Sequence, residues 1–149
     1  MRRGSGPGGA RGLRLVAAVA NGLARPSPRL AEQHVAAAHA VFYVGTGVWP
    51  LVHRPSFERV TGPKTDFWLT QTVGVLVTAV GAGLAQSLMT KREVAPEVRT
   101  IACASALGLA LVDLVFVARR RVSPIYLLDA AAEAALIAGW VHTNRPRRP

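Results

Sequence analysis

The chain has little of what a metal-binding or nucleophilic enzyme needs. Among its 149 residues there is one cysteine, Cys103, which lies inside an apolar stretch. A single thiol gives neither an internal disulfide framework nor a cysteine-based metal site. The four histidines show no metal-ligand spacing, and no serine or cysteine has a sequence partner that suggests a nucleophile. The sequence therefore predicts no cofactor and no metal, and it favours a non-enzymatic role.

Charge is scarce along most of the chain. Residues 67–90 contain no charged side chain, and three further apolar stretches flank them. A hydrocarbon core about 30 Å thick needs roughly 20 helical residues, so stretches of this length predict membrane-spanning helices. We expect an all-α membrane protein, a four-helix transmembrane bundle with short connections in residues 30–142. Its four spans are expected at residues 33–52, 67–90, 100–118 and 122–142.

The ends of the chain are basic. Residues 1–29 are rich in Arg and Gly and are expected to form a flexible tail, since Arg14 interrupts the short apolar core that a cleaved signal would need. Residues 143–149 form a second basic tail. The formal net charge of +10 could indicate nucleic-acid binding. Because the basic residues flank apolar stretches, they instead indicate anchoring to anionic headgroups, and the expected partner is the lipid bilayer.

Orientation follows from the positions of the basic residues. Both tails and the second connection, which includes Lys91 and Arg92, hold 12 of the 18 Lys and Arg, and the other side of the membrane holds 6. Basic residues accumulate on the cytoplasmic side. The sequence therefore predicts a multi-pass protein of the cell membrane with both termini in the cytoplasm.

Three carboxylates lie inside predicted spans: Asp113, Asp129 and Glu133. Each costs about 2.5 to 3.5 kcal/mol at the centre of a membrane helix, so the fourth span, with two acids, would insert poorly alone. At 1.5 Å per residue, Asp113 and Asp129 lie at one depth in adjacent antiparallel helices. Glu133 lies one turn deeper on the same face as Asp129. Gln71, near the matching end of the second span, is expected in the same polar layer.

Two interpretations of this intramembrane polar site are open. In one, the acids bind a proton or a cation, with a proton shared between Asp129 and Glu133, because two desolvated carboxylates so close do not both ionise easily. In the other, they form a structural salt-bridge cluster with water and with a base from a loop. The candidate bases are Arg119, Arg120, Arg121 and Lys64.

The first connection is dense in polar groups and turn-forming residues, and it lies above the acids. The sequence Gly62-Pro63-Lys64-Thr65 has a Gly before Lys-Thr, but Pro63 separates Gly62 from Lys64 and no strand precedes it, so it is not a phosphate-binding loop. We expect a rigid cap at headgroup level. The candidate headgroup or mouth contacts are His53, Arg59, Lys64, Asp66 and Arg120.

Small residues four apart predict close contacts between helices. The predicted contacts are at Ala102, Ala106 and Ala110 in the third span, at Ala131, Ala135 and Gly139 in the fourth, and at Ala79 and Gly83 in the second.

Two segments resemble a known kind of protein. Residues 42–51 (FYVGTGVWPL) and 56–69 (SFERVTGPKTDFWL) are similar to small four-helix bacterial membrane proteins of unknown function. This resemblance implies the fold and no activity. In architecture alone, four spans with acids near one face also resemble membrane sterol isomerase and related lipid-binding bundles.

Three roles follow as hypotheses. The first is a non-enzymatic membrane component or accessory subunit, with a membrane protein partner or a second copy of the chain. The second is a small proton- or cation-coupled transporter, which would act as an oligomer because four helices leave little room for a pathway. The third is a membrane enzyme on a lipid or isoprenoid substrate that uses the intramembrane acids.

Overall fold

Helices and the turns between them make up all of the described chain. The computed structural model describes residues 27–90 and 93–143, and no strand occurs within these ranges. Residues 1–26 and 144–149, which hold most of the two predicted basic tails, lie outside them, as do Lys91 and Arg92. The helices are α1 (Pro28–Val52), α2 (Arg54–Thr61), α3 (Phe67–Met89), α4 (Pro96–Ala118) and α5 (Tyr126–Thr143).

Three of these helices are long and apolar enough to cross a membrane, namely α1 over Arg29–Val52, α3 and α4. Their outward surfaces are apolar, and Trp68, for example, is 62% exposed. A water-soluble protein rarely exposes contiguous apolar faces of this size. The described part of the chain is therefore all-helical, and three of its helices are suited to membrane insertion. The shorter α5, with Asp129 and Glu133 in its 18 residues, is not one of the three.

Two helices begin earlier than the sequence predicts, because proline opens each of them. α1 begins at Pro28 rather than at residue 33, and the Ser27 side chain accepts a hydrogen bond from the Leu30 N–H at 3.3 Å. α4 begins at Pro96 rather than at residue 100. Proline is well tolerated at the first helical position, where its missing N–H would have no partner in any case.

The last helix begins later than predicted, at Tyr126 rather than at residue 122. Pro124, expected in its first turn, lies in the turn before it. The reason is the way α4 ends: the Arg121 N–H donates to the Phe116 carbonyl at 2.9 Å, and the Arg120 N–H to the Val117 carbonyl at 2.8 Å. This is a Schellman motif, which reverses the chain and prevents α5 from starting immediately.

The first connection contains a helix of its own, α2. His53 caps it, because its Nδ1 accepts the Ser56 N–H at 3.2 Å. Phe57 is buried, with its ring edge-on to Trp49 at 5.4 Å between centroids. The Arg54 guanidinium lies 4.2 Å from the centroid of the Phe67 ring. These contacts fix α2 across the end of α1 and beside the start of α3.

The most extensive helix contact joins α1 and α3, which run antiparallel. Glycines make it. A Cβ built on Gly74 would lie 2.6 Å from the Gly47 carbonyl oxygen, and one on Gly81 would lie 2.9 Å from the Tyr43 Cβ. Only glycine allows two helix backbones to approach this closely. The predicted contacts at Ala79 and Gly83 are wrong, because Ala79 is exposed and nothing lies within 4 Å of a Cβ on Gly83.

α4 and α5 form a second antiparallel pair, and α5 also contacts α1. The predicted stripe Ala102, Ala106 and Ala110 is buried along α4. Of the stripe predicted on α5, Ala131 and Ala135 are exposed, and Gly139 alone makes a close contact, since a Cβ built on it would lie 3.1 Å from the Val35 side chain of α1. The buried positions of α5 are instead Ala130, Glu133 and Trp140. Its inward face is therefore shifted by about one residue from the predicted one, and it turns the acids toward the core.

Candidate functional site

Two carboxyl groups meet between α4 and α5. The side chains of Asp113 and Asp129 lie within hydrogen-bonding distance of each other, and Asp113 is only 8% exposed. The sequence places them at one depth, and the structure brings them into contact. An ionised carboxylate is only an acceptor, so this contact is favourable when one of the two groups holds a proton.

Glu133 lies one turn deeper and is 1% exposed. Its Oε2 accepts a hydrogen bond from the Tyr43 hydroxyl of α1, at 3.3 Å. The sequence predicts a proton shared by Asp129 and Glu133, but in the structure these two acids have different direct partners. The direct partner of Asp129 is Asp113, and the direct partner of Glu133 is Tyr43.

Gln71 does not join this layer, so that prediction is wrong. It is exposed on α3, which contacts α1 extensively and α4 only slightly. Depth along a helix does not determine which neighbour the residue faces.

The alternative salt-bridge cluster does not form within the described ranges. The ion pairs found there are Arg29–Glu93 at 3.0 Å, Arg54–Glu58 at 3.1 Å and Arg99–Glu32 at 3.6 Å, and none includes an acid of the buried layer. One oxygen of Asp113, Oδ2, is buried without a hydrogen-bond partner in the described part of the chain. A buried ionised carboxylate without a cation is costly, which favours the protonated form.

Beyond Glu133, the polar groups continue through α1. The His39 ring, fully buried, lies edge-on to the Tyr43 ring at 4.3 Å, and its Nδ1 accepts the indole N–H of Trp140 at 3.1 Å. The indole nitrogen can only donate, so Nδ1 of His39 must be unprotonated. The proton of the neutral ring is then on Nε2, which has no partner among the described residues.

Sequence reasoning missed this part of the site. The four histidines show no metal-ligand spacing, and the sequence predicts no other role for His39. A usable signal was the spacing of His39 and Tyr43, which are four apart and therefore neighbours on one face of an apolar helix. Trp140, close to the end of the predicted fourth span, is 2% exposed in the core.

The end of the bundle formed by α2 and the α4–α5 turn, called the mouth here, is the end nearer the acids. The Tyr126 hydroxyl lies near the Thr61 side chain, and Thr61 Oγ1 donates to the Phe57 carbonyl at 2.9 Å. The Lys64 ammonium lies 5.0 Å from the centroid of the Tyr126 ring and donates to the carbonyls of Thr61 and Gly62. Lys64 therefore closes the end of α2 rather than pairing with an acid below.

The remaining mouth candidates are peripheral. Arg59, Asp66 and Arg120 are exposed, and Asp66 precedes α3 without a side-chain cap bond. Burial lowers the pKa of the Lys64 ammonium, while the charge of Glu58 raises it. The hydrogen bond from Arg54 is the main cause that lowers the pKa of Glu58.

The opposite end of the bundle has a shallow polar pocket whose lining includes both Arg29–Glu93 and Arg99–Glu32. Val94 lines it and also belongs to an apolar cluster with Leu84 and Trp140. This cluster closes the core on that side. The acids therefore lie nearer the mouth than the pocket.

The described residues contain no group of three His, Cys, Asp or Glu side chains placed to hold a metal ion. No protein-family model, no curated protein and no solved structure matches the chain.

Proposed function

We propose that this chain is a non-enzymatic, multi-pass membrane protein whose helical bundle binds protons at Asp113, Asp129 and Glu133. The observation that carries the proposal is the contact of two carboxyl groups, Asp113 and Asp129, in a buried layer that no described cation enters. A proton satisfies this contact directly. A metal cation would have to separate the two side chains and find further ligands.

The proposal treats α5 as a fourth transmembrane helix. Its two acids face the core, where Glu133 meets Tyr43, while Leu127, Leu128 and Val141 are exposed on the outside. Acids that face inward and apolar residues that face outward suit a helix inserted together with its neighbours. This supports the four-helix transmembrane bundle that the sequence predicts, with lipid around it.

The proposed orientation has both termini in the cytoplasm and the mouth outside, on the basis of the 12 to 6 distribution of basic residues. Reporter fusions after Pro149 and near Gly62 test it, and an external C-terminus would reverse it. Proton uptake from one side would be coupled to a second copy of the chain or to a membrane protein partner.

The test is infrared difference spectroscopy of the protein in lipid nanodiscs between pH 5 and 9. A protonated-carboxyl band that changes with pH is expected in the unmodified chain. It should be reduced when Asp113→Asn is combined with Asp129→Asn, reduced also in Glu133→Gln, and lost when all three substitutions are combined.

Glu93→Gln is the matched control, because it removes an exposed acid at the opposite end of the bundle. The band should persist in this variant. A spectrum in which the three buried acids are ionised throughout the range would contradict the proposal.

A further inference from the structure

Three consecutive arginines, Arg119, Arg120 and Arg121, follow the end of α4. All three are exposed, and their backbone N–H groups are used by the helix end: Arg119 donates to Val115, and the next two close the Schellman motif. Their guanidinium groups make no ion pair with any described acid. The backbone of this turn is thus fixed, whereas its charges are left facing outward.

The middle residue occupies a position that usually belongs to glycine. Arg120 has φ +54, the left-handed region, at the first residue past the helix cap. Glycine adopts this conformation without the steric cost that a side chain brings. An arginine here therefore adds a charge to the turn at some expense in backbone strain.

The turn belongs to a cationic end of the molecule. Residues 53–66 and 119–125 hold six basic and two acidic residues. Of the two acids, Glu58 is already engaged by Arg54 at 3.1 Å. Arg59 of α2 is exposed as well. Lys64 contacts Tyr126 of the neighbouring helix, which places α2 and the α4–α5 turn at the same end of the bundle.

This end also lies at the depth of lipid headgroups. The 23-residue apolar helix α4 ends immediately before Arg119, and the exposed Trp68 stands at the first turn of α3. Tryptophan is enriched at the boundary between hydrocarbon and headgroups. A guanidinium group there can bind a phosphate through two parallel hydrogen bonds.

We infer that Arg119, Arg120 and Arg121 form a binding surface for the phosphate of anionic phospholipids in the surrounding bilayer. Arg59 extends this surface along α2. The inference is independent of proton binding, because none of these residues contacts the buried acids within the described ranges.

Native mass spectrometry of the full chain, loaded with equal amounts of phosphatidylglycerol and phosphatidylcholine, tests the inference. The unmodified protein should retain phosphatidylglycerol preferentially. Each arginine near an anionic surface contributes about a fivefold preference, so the triple variant R119Q/R120Q/R121Q should lose most of it. The triple lysine variant keeps the charge and should lose less, because lysine cannot form the two parallel hydrogen bonds.

Arg120→Gly is the control that separates loss of lipid binding from loss of folding. It relieves the left-handed strain, so its Tm should rise while its phosphatidylglycerol preference falls about fivefold. An unchanged lipid ratio in both Arg120→Gly and the triple glutamine variant would overturn the inference. Displacement of the lipid by millimolar inorganic phosphate would also overturn it, since the surface would then bind free phosphate.

Discussion

The two sides of α1 differ in what holds them to their neighbours. Toward α3, the contact is made by Gly47, Gly74 and Gly81, and it contains no charged group. The hydroxyl of Thr78 is satisfied within its own helix, by the Gly74 carbonyl at 2.7 Å. Toward α5, the contact contains a hydrogen bond from Tyr43 to Glu133 and another from Trp140 to His39. The α1–α3 contact therefore depends on close backbone packing, whereas the α1–α5 contact adds hydrogen bonds to its apolar packing.

This difference suggests that the two sides of the bundle have different roles, one structural and one responsive to pH. A backbone contact between glycines has one geometry and tolerates no side chain, so it fixes α1 against α3. A layer of carboxyl and hydroxyl groups can change its protonation and its hydrogen bonds while the helices stay in place. We therefore expect the α1–α3 side to determine stability, and the α4–α5 side to determine how the protein responds to pH.

The largest loss of stability is expected at the α1–α3 contact, where the two helix backbones pack closely at glycines. Gly74→Ala puts a methyl group 2.6 Å from the Gly47 carbonyl oxygen, so α1 and α3 must separate. The expected loss of stability is about 3 kcal/mol, at the upper end for overpacking. Gly83→Ala, on the same helix with open space around its Cβ, is the control and should cost nothing. Thermal unfolding in detergent compares them, and equal Tm values would mean that the glycine contact does not hold the bundle.

A smaller effect is expected in the polar layer, and it should depend on chemistry rather than size. Asp129→Leu leaves Asp113 without its partner in a buried site, at a cost of about 1 to 3 kcal/mol. Asp129→Asn keeps a hydrogen-bonding group and should cost less. The same thermal unfolding assay measures both. If Asn and Leu are tolerated equally, the acids reach water and the layer is not closed.

The smallest effect is expected outside the bundle, at α2. Because the pKa of Glu58 in the folded chain is lowered, its stabilising contribution is present above the unfolded value, about 4.3, and is lost as pH falls through the folded value. Its Oε1 accepts the Lys64 N–H at 3.1 Å, so the protection factor of the Lys64 amide against hydrogen exchange should fall as the pH drops through the lowered pKa of Glu58. Glu58→Gln should abolish this pH dependence, and its persistence would assign the effect to another group.

Much of the fold could be predicted because it depends on local sequence. Charge-free stretches show where the long helices lie. The predicted starts at residues 33 and 100 were nevertheless too late, because Pro28 and Pro96 open these two helices. The start of α5 could not be predicted, because it depends on Arg120 adopting a left-handed conformation that arginine rarely takes. Nothing in the sequence indicates that Arg120 adopts this conformation.

Contacts in the site could be predicted only where the depth of each residue along its helix was enough to identify its partner. Counting residues from the helix ends places Asp113 and Asp129 at one level, where the structure has them in contact. The same count fails for Gln71, because the separation of α3 from α4 is a property of packing. The contact of His39 with Trp140, 101 residues apart, depends on the arrangement of α1 beside α5.

The hydrogen bond from Trp140 to His39 limits proton transfer among the buried polar groups. A proton moves along a hydrogen-bonded chain only if each member can both accept and donate, and an indole N–H cannot accept. Trp140 occupies the nitrogen of His39 on which a second proton would have to arrive. Under the proposed proton binding, protons then cannot pass from the buried acids through His39 and Trp140. The charge of the core would therefore follow the pH on the side of the mouth.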